Sequence, residues 1–251
     1  NLMLWEQSFL SNYQSGNLER AAEIAAKLEH LGSEFSLSSE PALSAAVNSG
    51  DWEAVIALSD KISLTDHGYM FASGLRSLAL IGLGEPETAL LEQQRMIDFI
   101  INTRIDIPSE ILTLHQAYFA EITGDVAEAI SLYKSISQRN KKSSYTLIAV
   151  TAGLWRLDAH DNSEAILRKY QGGELASEWL LHLYKTSQTK LIQQLNLRQL
   201  FAQFIFEFNW FGNVPSGQSL ILPRRHLALS IWPERDLGHL ILAQTYFDQS
   251  D

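Results

Sequence analysis

The sequence predicts an all-α fold of antiparallel helical hairpins stacked in series, and three observations carry that expectation. A Gly-centred junction recurs: SGNLERAAEIAAKL, SGDWEAVIALSDKI and LGEPETALLEQQRM place Gly16, Gly50 and Gly84 at intervals of 34 residues. Apolar positions recur with the junction, at five, six and twelve residues past each Gly, which draws one stripe along each following helix. Strand signals are lacking, because β-branched residues are scattered, alternation never lasts and only 6 Pro interrupt the chain.

Each element follows from that register. Gly in the left-handed conformation ends a helix, and Asn17, Asp51, Glu85 or Asp125 then caps or charge-complements the start of the next. The pair at five and six residues is Ala21–Ala22, Val55–Ile56, Ala89–Leu90 and Ala129–Ile130, and the residue at twelve is Leu28, Ile62, Met96 or Ile136. Small side chains near the helix start let the two helices of a hairpin approach closely. A fourth junction, TGDVAEAISLYKSI, centres on Gly124, and a fifth, HDNSEAILRKY, puts His160 in the Gly place. The terminal QSD puts Ser250 there, so the chain reads as truncated at a repeat junction. Ahead of the junctions lie the other helices: PALSAAVNS, FASGLRSLALIG, ILTLHQAYFAEIT, TLIAVTAGLWRLDA and LGHLILAQTYFDQ.

The register lapses between 172 and 217. Gly172–Gly173 opens that stretch, and LRQLFAQFIFEFNWF then sets Leu197, Leu200, Phe201, Phe204, Ile205, Phe208 and Phe211 at helical spacing, with Phe206 and Trp210 on the other side. A helix apolar all round belongs in a core, and a hydrophobic contact for a partner or a second copy is the alternative. The chain accordingly divides into hairpins over 1–171, an aromatic-rich helical segment of the same stack over 172–217, and a C-terminal hairpin over 218–251.

Composition narrows the function classes. Of 251 residues, 19 are Lys or Arg and 29 Asp or Glu, a net charge of −10. Residues 1–140 hold 8 basic and 19 acidic side chains, whereas 141–251 hold 11 and 10. An acidic half argues against nucleic acid and against an anionic membrane surface. No apolar run approaches the roughly 18 residues that span a bilayer, so no direct membrane insertion is expected. There is no Cys, which removes disulfides, thiolate metal sites and a Cys nucleophile. The opening NLMLWEQSFL reads as mid-helix without an initiator Met, which marks residue 1 as a processing site or an artificial boundary.

Catalytic patterns do not emerge. The 7 His form no i, i+4 pair and no H-E-x-x-H, and there is no phosphate loop, dinucleotide fingerprint or nucleophile elbow. His115 and Glu121 sit six residues apart, nearly on opposite faces of a helix. Neither catalytic nor metal residues are assigned, no cofactor is expected, and the chain is read as no enzyme. One compact basic cluster, Pro223-Arg224-Arg225-His226, stands at a helix start, where it can hold a carboxylate or phosphate or serve as a solvated first turn.

The segment LALSIWPERDLGHLILAQTYFDQSD, with an apolar helix, Pro233 at the boundary, a first helix and a turn, resembles the tetratricopeptide repeat, and the 34-residue spacing is that family's period. The resemblance covers 1–97, 105–170 and the last 35 or so residues. The ordering of the repeats resembles alphaproteobacterial members that begin with an export signal, which would place the chain in a bacterial envelope or periplasm, with the cytoplasm second. The family resemblance implies a right-handed superhelical solenoid that binds peptides or helices on a concave face lined by the first helix of each hairpin.

Through the Gly register, the groove positions are Glu6, Leu10, Tyr13 and Gln14, then Glu40, Ser44, Val47 and Asn48, then Gly74, Leu78 and Ile81, and finally Leu114, Tyr118, Glu121 and Ile122. Glu6, Tyr13, Gln14, Asn48, Tyr118 and Glu121 are the peptide-binding candidates. Glu6 and Glu40 stand where the subgroup that clamps an acidic chaperone tail needs Lys, so that clamp is not expected. The expected activity is a scaffold or adaptor for a protein or peptide partner. The alternative is a self-assembling repeat protein, a homo-oligomer that dimerises or stacks through terminal hairpins.

Overall fold

The structure, a computed structural model, describes residues 2–33, 36–62, 66–103, 109–138, 144–169, 174–186, 195–211, 220–235, 238–239 and 242. Among these residues it is all-helical, with 13 α-helices and no strand. In chain order they are α1 (Leu2–Gln14), α2 (Leu18–His30), α3 (Glu40–Ser49), α4 (Trp52–Ile62), α5 (Asp66–Gly82), α6 (Pro86–Thr103), α7 (Ser109–Thr123), α8 (Val126–Ser137), α9 (Ser144–Arg156), α10 (His160–Lys169), α11 (Glu174–Lys185), α12 (Leu197–Phe211) and α13 (Ile221–Ile231). A 3-10 turn, Ser36–Ser39, leads into α3.

The junctions share one backbone solution. Gly16, Gly50, Gly84 and Gly124 all have φ between +72° and +86°. After each, the next amide reaches back to the carbonyl five residues earlier: Asn17 to Asn12, Asp51 to Ala46, Glu85 to Leu80 and Asp125 to Ala120, each 2.9 Å. Those bonds satisfy carbonyls that the helix end leaves orphaned. The side chains of Asn17, Asp51 and Asp125 then accept from the amides of Arg20, Ala54 and Glu128, the N-cap bond that residues of this type supply.

The fifth junction departs from the expected register. His160 is not in the Gly place but opens α10, and the left-handed residue is Asp158 at φ 57°. The closing bond is unchanged, Ala159 to Leu154 at 2.9 Å, because Asp tolerates this conformation better than most non-glycine residues. Ser250 and Gly172–Gly173 lie outside the described residues.

The apolar register is only partly obeyed. Ala21, Val55, Ala89 and Ala129, five residues past each Gly, are completely buried, and Leu28, Ile62, Met96 and Ile136, twelve past, are buried too. The sixth position is not a core position: Leu90 is 55% exposed. Space for close packing comes from first helices as well. A Cβ on Gly82 of α5 would overlap the Trp52 ring, and one on Gly153 of α9 would overlap Tyr133.

Two compact units result, one of residues 1–106 with 197–251 and the other of 107–196. They do not coincide with the sequence divisions at 171/172 and 217/218. In the first unit, α1 packs with α2, α3 with α4, α5 with α6, and α12 with α13. The α12–α13 hairpin joins the others through first helices: α12 rests on α5 and α3, and α13 on α3 and α1. In the second unit α7 packs with α8, α9 with α10, α10 with α11, and α9 also meets α7 and α8.

The composition of α12 accounts for its burial. Leu200 through Phe208 are all buried, including Phe201, Phe204, Ile205, Phe206 and Phe208. Each such side chain is worth about 1.5–3 kcal/mol on burial, so the segment contributes core to the unit that opens the chain. The side chains of Trp210 and Phe211 lie outside the described residues.

Candidate functional site

Of the positions read off the register, Tyr13 on α1, Glu40 and Asn48 on α3 and Gly74 on α5 take part in the packing of α12–α13. Tyr13, near the end of α1, is wholly buried, and its hydroxyl donates to Glu40 Oε2 at 2.6 Å. Glu40, also wholly buried, opens α3. From α13, Arg224 closes the triad: its Nη2 donates to Glu40 Oε1 at 2.6 Å and its Nε to Oε2 at 3.0 Å. The same guanidinium lies 4.1 Å from the ring centre of Phe71 on α5, so one arginine of α13 touches both α3 and α5.

Electrostatics follow from that burial. Removal from water, with the Glu40 charge beside it, holds the Tyr13 hydroxyl well above its usual range, so it remains a donor. A buried ion pair repays its desolvation only when its lone pairs are satisfied. Here the carboxylate accepts from both Tyr13 and Arg224. Such a pair is weak evidence for net stability, but removing one partner would leave the other charge buried and unpaired.

The rest of the face is shape. Gly74 on α5 is the seat for Phe204, since a Cβ there would overlap the ring. Phe71 stacks on Phe204 with ring centres 6.0 Å apart and meets Phe208 at 5.3 Å. Trp52, at the start of α4, stacks on Phe201 at 5.5 Å and 7°. At the far edge, Asn48 Nδ2 donates to the Ser230 carbonyl at 3.2 Å. The His226 ring lies where a Cβ on Gly16 would be, against the turn that ends α1.

On the back of α12, Arg235 lies 4.3 Å from the Phe206 ring centre and Arg225 5.8 Å from it. Gln203 also donates to the buried Glu207, one turn further along the helix.

The six peptide-binding candidates are therefore placed as follows. Tyr13 is inside the triad. Asn48 is exposed but bonded to α13. Glu6 is half-buried and accepts from Ser33 at 3.0 Å, and Gln14 is exposed. Tyr118 and Glu121 belong to the second unit. There Tyr118 is buried against Tyr133 and His115. Glu121 accepts from Arg156 Nε at 2.6 Å and Nη2 at 2.8 Å, and from the Tyr133 hydroxyl at 2.7 Å. Both units thus contain a glutamate held by one arginine and one tyrosine.

Sequence reasoning did not pair Glu40 with Arg224, which are 184 residues apart. The signal was present in two halves: a carboxylate at a groove position, and a Pro-Arg-Arg-His cluster read as able to hold one.

Among the described residues, no group of three or more His, Asp or Glu is placed to hold a metal ion, and no helix is long and apolar enough to cross a membrane. No family model, curated protein or solved structure matches the chain.

Proposed function

We propose that this chain is a non-catalytic scaffold or adaptor whose inner helix face binds helical protein segments, its hairpins stacking as a right-handed, tetratricopeptide-like solenoid. The observation that carries the reading is the placement of α12–α13. A helical hairpin lies on α1, α3 and α5, and its arginine is chelated by Glu40, a groove position. The face thereby displays the chemistry it selects. Rings fill a seat made by Gly74, a guanidinium meets a buried carboxylate, and a backbone carbonyl meets Asn48. Helix-in-groove recognition uses this division of labour, with apolar anchors for affinity and polar pairs for register.

The solenoid part of the proposal draws support from the shared closing bond at five junctions and from the 34-residue Gly spacing. Stacked repeats bury a core between neighbours and leave an extended face for recognition.

The test uses the full chain and a fluorescent peptide with the sequence of residues 195–235. Phe204→Ala loosens the resident hairpin, so the variant should bind the peptide more than about tenfold tighter than wild type, whose face is filled. A variant that keeps its helicity and yet binds no peptide would contradict the reading.

A further inference from the structure

We propose that copies of this chain stack head to tail, the outer side of α6 in one copy seating on the outer side of α1 in the next. The surfaces are separate from the inner face that α12–α13 fills, and the inference does not depend on what that face binds.

Exposed apolar side chains gather on these two helices. Of the eight large ones among the described residues, six lie on α1 and α6: Leu2, Met3 and Leu4 on the first, and Leu90, Leu91 and Ile101 on the second. Between them α3, α4 and α5 show none. On α1 the helical period puts Met3, Leu4, Gln7, Ser11 and Gln14 on one side, opposite the buried Phe9 and Tyr13, and all five are exposed. That side is uncharged. Glu6 is the only charged residue of α1, and it is half-buried and bonded to Ser33. The neighbouring α2, by contrast, exposes Glu19, Arg20, Glu23, Lys27 and Glu29. Exposed apolar side chains on an uncharged side mark an interaction surface.

The packing inside the unit names the occupant. Its hairpins are α1–α2, α3–α4 and α5–α6, and the first helix of each following hairpin packs on the second helix before it, α3 on α2 and α5 on α4. Within the unit α6 packs on its own partner α5, and α1 on α2 and α13. Ile56 of α4, a helix that α5 packs on, is half-buried, whereas Leu90 at the equivalent place of α6 is exposed. Seating α6 on α1 of a second copy repeats the α4–α5 contact and continues the series. Leu90 to Ile101 and Met3 to Gln14 both advance eleven residues, so the two exposed stripes match in length at about 16 Å. Because the two surfaces differ, the contact is heterologous, and a third copy adds to the second as the second did to the first.

Sedimentation velocity on the full-length chain tests this over a concentration series. Apparent mass should rise with concentration beyond that of a dimer. It should rise further with salt, because copies of net charge −10 repel one another and added ions screen that repulsion. Leu4→Glu places a charge on the α1 surface and Leu91→Glu one on the α6 surface. Both positions are exposed, so each variant should keep wild-type helicity and melting temperature while its associated fraction falls more than about tenfold. Mixed together, the two should form a one-to-one dimer and nothing longer, since one open α6 meets one open α1 and both outer ends are blocked. Ala57→Glu, at an exposed position of α4, should assemble as wild type does.

A wild-type chain that is monomeric at every concentration overturns the proposal. Association that survives either substitution also overturns it, because the contact then lies elsewhere, and so does a mixture that stays monomeric. Where Leu4→Glu lowers helicity, Met3→Glu on the same side reads the same surface.

Discussion

Arg224 and Glu40 meet in a two-pronged ion pair across 184 residues of sequence, with the arginine 5% and the glutamate 0% exposed at the side chain. Through that contact the C-terminal α13 is fixed to the start of α3, and Tyr13 completes the carboxylate's coordination from α1. Stability and placement have different sources here. The phenylalanines of α12 supply apolar burial, whereas displacing α13 would leave the buried Glu40 and Arg224 charges unpaired.

Removing one member of the pair should be costly and removing both much less so. Glu40→Gln or Arg224→Met alone strands a buried partner, at a cost of about 3–5 kcal/mol in urea unfolding. The double variant should lose clearly less than the sum of the two, a non-additivity that the double-mutant cycle measures directly. Additive losses would mean the two side chains do not interact in solution.

Gly74 offers a sign change. In an exposed helix interior, Gly→Ala stabilises by up to about 1 kcal/mol, but here the added methyl meets the Phe204 ring. Gly74→Ala should therefore destabilise the wild-type chain and stabilise the Phe204→Ala background. Chemical denaturation of the four chains checks both signs.

Two tyrosines that the register put on a binding face are packing residues in this conformation. Tyr13 is 0% and Tyr118 4% exposed. Tyr13→Ala and Tyr118→Ala should each cost about 3–5 kcal/mol, as large-to-small changes in cores do. Because the two residues belong to separate units, hydrogen exchange should show each loss confined to its own unit.

Acid should loosen the first unit in two stages. Removal from water holds His226 below the usual histidine range. A base whose folded value is depressed costs stability as pH falls through the unfolded value of about 6.5 towards the folded one. The contact of α13 with the Gly16 turn should therefore weaken as pH falls below the unfolded value, and His226→Gln should remove that stage.

Burial alone would raise Glu92, but hydrogen bonds from Ser73 and Arg76, with the charges of Arg76 and Arg95, outweigh it and hold its carboxyl low. Its contribution is present above the unfolded carboxylate value of about 4.3 and is lost as pH falls below it. Thermal melts from about pH 7 to about pH 3 on wild type and Glu92→Gln separate the two stages.

Local chemistry was legible in the sequence and long-range placement was not. The left-handed glycines, the Asn and Asp caps and the stripe at five and twelve residues follow from interactions spanning a few residues, and they appear at the expected positions. The fifth junction lies two residues before the expected His160, because the backbone needs only one residue that tolerates positive φ, here Asp158. The all-round apolarity of 197–211 marked it as buried, yet nothing local says against what. Its seat is a glycine 130 residues earlier, and a missing side chain is a silent partner in a sequence. The Glu40–Arg224 pair has the same character, since either residue alone reads as surface charge.

The docking of α13 on α3 can be measured directly, because the chain has no Cys of its own. Cysteines placed at Asn48 and Ser230, where the native Asn48 side-chain amide lies 3.2 Å from the Ser230 backbone carbonyl, can be treated with a short bismaleimide and the product mass read. Rapid cross-linking within one chain is expected at native pH, and Arg224→Glu should abolish it. Cross-linking no faster than in urea-unfolded chain would contradict the docking.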